Sequence, residues 1–217
     1  MDTHWAAEHL QVIRTLMERS ALYRRALAPI MLLAGSVGMI GAVAGYLARV
    51  ELPRSFILYW LIIGFATLVA VFVLVRVQAL KDAESFWSPP TRRVATALLP
   101  PLSAGFLLTV ALCFCPKAAR LEESMSFYPQ NLAAFVWLPA LWITLYGCAI
   151  HAAGFFMPRG MKLFGWLFII SGCGLFWLGF ERPSFRIGHC LMGTYFGLLH
   201  LGYGVYLYFT ENKRKSV

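Results

Sequence analysis

The chain has 217 residues, 59% of them hydrophobic and only 13% charged, with a mean hydropathy of +0.67. Ordinary globular domains are near half apolar and a quarter charged, so disorder, a collagen-like chain and a soluble enzyme with a charged surface are excluded. The net charge of +9 falls between long apolar runs. That placement suits a lipid bilayer with anionic headgroups and argues against nucleic acid, for which no domain-sized soluble segment exists.

Residues 1–26 read as an amphipathic helix at the cytoplasmic interface. At 100° per residue, Trp5, Leu10, Ile13, Leu16, Met17 and Tyr23 share one arc, while Glu8, Gln11, Arg14, Glu18 and Arg25 take the other. Such a helix lies among headgroups, docks a membrane partner or sister subunit, or packs on the ends of its own bundle. No cleavable signal peptide is expected, because the first apolar run is long enough to serve as an uncleaved anchor.

Six apolar stretches then follow, at 28–48, 55–75, 94–115, 132–157, 161–180 and 187–209. Each reaches the ~20 residues that a helix needs to cross the hydrocarbon core. They predict an all-α polytopic bundle over residues 27–210, closed by a basic cytoplasmic tail at 211–217. Thirteen of the 19 Lys and Arg fall on the side of the amino terminus, among them Arg24, Arg25, Arg92, Arg93 and Lys213. The positive-inside rule therefore places both termini in the cytoplasm. Trp60, Trp137 and Trp177 fall near one interface and Trp5, Trp87 and Trp166 near the other, leaving only Trp142 deep in a span.

Ser88 before Pro89 suits a helix cap with proline at the first helical position of the third span. Pro100 and Pro101 further along, and Pro139 in the fourth span, are helix breakers, either simple kinks or hinges. In the first span, Gly38, Gly41 and Gly45 lie on a seam of small residues that lets another helix approach closely, inside the chain or in a homo-oligomer.

The sixth span places His189, Gly193, Gly197, His200 and Gly204 within about 80° of arc at helical spacing. His151, with Cys148 on its face, lies in the fourth span at a depth within about 6 Å of His200. Contact between His151 and His200 is expected. Three readings stay open: a structural polar contact, the lining of a solute or proton path, and ligation of metal or haem. A second set, Cys113, Cys115, His189 and Cys190, carries ligands suited to Zn or Cu(I) without matching a metal motif. The five cysteines argue against a disulfide scaffold.

No HExxH, GxSxG, GxxxxGK or GxGxxG motif is present, and no carboxylate lies in a span core. Catalysis and a resident cofactor are therefore not expected. A regulatory or partner-binding membrane protein leads, followed by a small-solute or metal carrier at His151/His200, then a haem- or metal-binding membrane enzyme.

Three stretches, VIRTLMERSALYRRALAP (12–29), FWSPPTRRV (86–94) and HCLMGTYFGLLHLGYG (189–204), resemble uncharacterised six-span bacterial integral membrane proteins. The resemblance implies a bacterial inner membrane. It transfers no activity and no functional residue.

Overall fold

The computed structural model describes residues 27–81, 89–114, 137–157, 159–178 and 184–215. The amphipathic helix expected over 1–26, Ser88 and Cys115 lie outside these residues. Every element among the described residues is helical. They are α1 (Leu27–Leu47), α2 (Pro53–Lys81), α3 (Pro89–Phe114), α4 (Leu138–Ala153) and α5 (Arg159–Leu178). A last, continuous helix comprises α6 (Phe185–Met192), a π-helical turn (Gly193–Leu198) and α7 (Leu199–Lys215).

Four of these helices hold segments long and apolar enough to cross a membrane: Leu27–Leu47, Pro53–Lys81, Thr91–Ala111 and Gly160–Trp177. The fourth expected span appears as the shorter apolar helix α4, of 16 residues. The sixth expected span is the compound last helix, which runs on to Lys215.

Prolines open several of these helices, where a missing N–H costs nothing. Pro53 and Pro89 are the first residues of α2 and α3. Pro139 stands in the first turn of α4 and is buried. Its reading as a kink or hinge is corrected for α4, which has Pro139 at its start and not inside it. Pro100 and Pro101 lie inside α3, which continues unbroken through both. Ser184 caps α6, its hydroxyl accepting from the Ile187 N–H at 3.3 Å.

The turn after α1 has both bonds of a Schellman motif. The Val50 N–H reaches the Gly45 carbonyl at 3.1 Å, and the Arg49 N–H reaches Tyr46 at 3.3 Å. Arg49 takes the left-handed conformation (φ 52°) that such a turn demands and that glycine usually fills.

Two apolar cores show how the helices run. One gathers Leu27 and Met31 from the start of α1, Ile150 from the end of α4, Met161 and Phe164 from the start of α5, and Leu207 from α7. The other gathers Ala42 from late α1, Phe56 and Trp60 from early α2, Leu138 from the start of α4 and Phe185 from the start of α6. Helices α1 and α5 therefore run opposite to α4 and the last helix. Long stretches of α2 and α3 stay outside both cores and expose apolar side chains, including Ile62, Phe65, Leu68 and Phe106.

Candidate functional site

The polar groups at depth are assembled by close helix packing. Along α1, a methyl group added at Gly35 would lie 2.6 Å from the Leu201 backbone nitrogen, and one at Gly38 would lie 2.5 Å from the Phe196 carbonyl oxygen. The last helix answers with Gly193 against Ala42, Gly197 against Met39 and Gly204 against Leu32. Gly45 seats the His189 ring, whereas Gly41 faces Ile63 of α2. A second close pair joins α4 to α5. There Gly147 meets the backbone of Gly165 and Ile169, and Gly165 meets the backbone of His151. Backbone approach of this kind brings in dispersion contacts where lipid removes the hydrophobic drive between helices.

His189 is 1% exposed. The Trp60 indole N–H donates to its Nδ1 at 3.2 Å, and its Nε2 lies 3.1 Å from the Val50 carbonyl oxygen. An indole only donates and a carbonyl only accepts, so the ring is neutral with its proton on Nε2. Phe56 meets its edge at 4.9 Å between ring centroids, and Tyr59 does so at 5.8 Å. One turn earlier, Arg186 Nε donates to Glu51 at 2.7 Å, and its guanidinium lies 5.9 Å from the Tyr46 ring centroid. The hydrogen bond to Glu51, and next the carboxylate's charge, raise the Arg186 pKa above its ordinary value. The α1–α2 turn is thus tied to the start of the last helix at two adjacent points.

His200 is 2% exposed, with Nε2 2.7 Å from the Tyr146 hydroxyl and Nδ1 2.9 Å from the Tyr195 carbonyl oxygen. The π turn explains the second bond. The Leu199 N–H reaches five residues back to Thr194 rather than four to Tyr195. The Tyr195 carbonyl is left for the side chain, so His200 donates through Nδ1 and accepts from tyrosine at Nε2. Phe164, Phe168 and Phe196 enclose the ring, with centroids 5.3, 5.6 and 6.0 Å away.

The expected pairing of His151 with His200 is not what forms. The last helix does meet α4 through His200, but the α4 partner is Tyr146. His151 turns to α5, packs on Trp166 at 5.3 Å and places Nδ1 3.4 Å from the Lys162 carbonyl oxygen. Cys148 is half-buried with a free thiol. The shared face expected for His189 and His200 also separates, since one ring meets α1 and α2 and the other α4 and α5. A π turn advances less than 100° per residue, so helical-wheel arithmetic fails across Gly193–Leu198.

Of the second expected set, His189 has both ring nitrogens taken, by Trp60 and Val50. Cys190 is exposed and free, and the Cys113 side chain lies outside the described residues, as does Cys115. Among the described residues, no group of three or more His, Cys, Asp or Glu is placed to hold a metal ion.

Tyr146 and Trp60 escape sequence reasoning because an aromatic with one polar atom reads as core or interface. The exception is Trp142, whose depth in a span marks an indole in need of an acceptor. Its N–H donates to Thr109 of α3 at 2.8 Å, and Thr109 in turn donates to the Gly105 carbonyl at 2.7 Å. No protein-family profile, curated protein or solved structure matches the chain.

Proposed function

We propose that the chain crosses a bacterial inner membrane six times with both termini in the cytoplasm. There it acts as a non-enzymatic regulatory or partner-binding protein through its amino-terminal segment and cytoplasmic loops. The observation that carries this reading is the closure of His189 and His200. Both are saturated by hydrogen bonds within the protein, and both are buried, which leaves neither free for a substrate or metal. Polar groups at membrane depth that serve transport or catalysis face a cavity or a reacting partner instead. The carrier alternative needs His151 and His200 to share one site, but His200 bonds Tyr146 while His151 packs on Trp166.

Four apolar helices supply most of the spans. The run of α1 and α5 against α4 and the last helix suits alternate crossings. The basic excess on the amino-terminal side supports its cytoplasmic placement and its attraction to anionic headgroups.

The test is a flux screen on the purified full-length protein in proteoliposomes, paired with photo-crosslinking from Ile13 and Leu16 in native membranes. The expected result is no saturable flux of small neutral solutes or divalent metals, with a discrete cross-link to a second polypeptide. Flux abolished by His200→Ala would replace this reading with a carrier.

A further inference from the structure

We infer that His189 is a proton-operated latch between the α1–α2 hairpin and the last helix. Its Nδ1 is the acceptor for the Trp60 indole N–H, and an indole offers no lone pair in return. A second proton on the ring would therefore set N–H against N–H, in a site where Gly45, Phe56 and Tyr59 leave no room to turn aside. The groups around the ring define where a charged imidazole would go. Gly45 of α1 carries no charge, and α2 contributes the neutral rings of Phe56, Tyr59 and Trp60. From its own helix comes Arg186, and from the turn comes Glu51, whose carboxylate is engaged by Arg186. Arg49 and Arg54, which flank the turn, are exposed.

Glu51 is thus the acceptor next to the site, and it belongs to the same turn. A protonated His189 gives up Trp60, and the Glu51 carboxylate, still paired with Arg186, favours its charge through space. Loss of the Trp60 bond frees the first turns of α2 from the last helix while the Val50 carbonyl keeps its donor. Nothing covalent changes, and the proton comes from the aqueous phase that Glu51 and Arg186 border, each nearly half exposed. The strained left-handed Arg49 sits in this same turn, so the element that moves is one already held by its neighbours.

The experiment follows the tryptophan indole N–H resonances of ¹⁵N-labelled full-length protein in nanodiscs from about pH 8 to about pH 4.5, spanning the ordinary imidazole range of about 6.5. The Trp60 signal, assigned by its loss in Trp60→Phe, is expected to shift or exchange away on acidification. It is expected to stay fixed in His189→Gln, whose amide keeps one donor and one acceptor but does not titrate in this range. In Glu51→Gln the transition is expected to move to lower pH, since the carboxylate favours the charged ring without being the sensor. ¹⁵N-histidine labelling of the unaltered chain provides a readout independent of the variants: at neutral pH, His189 should show a protonated Nε2 and a bare Nδ1. A Trp60 signal that never moves, a transition that survives in His189→Gln or moves to higher pH in Glu51→Gln, or the opposite tautomer would each overturn the latch.

Discussion

A tyrosine hydroxyl and an imidazole that meet at 2.7 Å inside a ring of phenylalanines have no water to fall back on. Removing one partner leaves the other unpaired in an apolar site, which costs about 1–3 kcal/mol. Tyr146→Phe should therefore lower stability by that amount, and His200→Ala by more, because it also orphans the Tyr195 carbonyl and opens a cavity. The double variant should fall short of the sum, and thermal unfolding in detergent completes the cycle. Additive losses would mean that the two groups do not depend on each other. Glycines give a second contrast at this scale. A methyl at Gly38 collides with the Phe196 carbonyl, whereas one at Gly64 meets nothing within 4 Å. Gly38→Ala should cost about 1–3 kcal/mol by overpacking. Gly64→Ala should be neutral or slightly stabilising, because alanine is the better helix former. The same unfolding assay separates them, and equal effects would remove close α1–last-helix contact as the cause.

Among the elements, α2 is the longest and, like α3, largely exposed. Its first turns are buried through Phe56, Ile57 and Trp60, but Ile62, Phe65 and Leu68 beyond them are exposed apolar groups. At 29 residues it is about 44 Å long, more than the ~30 Å hydrocarbon core requires. An apolar helix exposed in this way is covered by lipid chains in a bilayer. Tryptophan placed at Phe65, in a background lacking other exposed tryptophans, should be strongly quenched by brominated acyl chains, while Trp60 should be shielded. Absence of quenching at position 65 would mean that protein covers this face. The turn before α2 carries its own test. Arg49→Gly removes a side chain from the left-handed region and should raise stability by about 1–2 kcal/mol.

At the scale of the whole molecule, the features legible in sequence are those set by composition and length. Apolar runs mark the helices, Pro89 marks where α3 begins, and the small residues of α1 and the last helix mark where backbones touch. Hydrogen-bond partners were less legible, because they depend on rotation about the helix axis. The π turn alters that rotation midway along the last helix, and on α4 it is Tyr146 that faces His200 while His151 faces α5. Pro139 shows the other limit: a proline counted inside an apolar run sits at the helix start once the run is folded.

Topology depends on neither rotation nor partners, only on where charge sits relative to the spans. The proposed placement of both termini on the basic side requires an even number of crossings, and the six apolar stretches expected from the sequence would satisfy it. The four spans identified by length and composition are also even in number, so the position of the termini alone does not separate four crossings from six. Fusions within the chain do separate them. A cytoplasmic reporter should be active after Val217 and after Met157, between the expected fourth and fifth spans, and a periplasmic reporter should be active after Val50. If α4 and the last helix did not cross, α3 would deliver the chain to the far side and α5 would return it, making Met157 periplasmic. A periplasmic signal at Met157 together with a cytoplasmic one at Val217 would thus fix four crossings and exclude six.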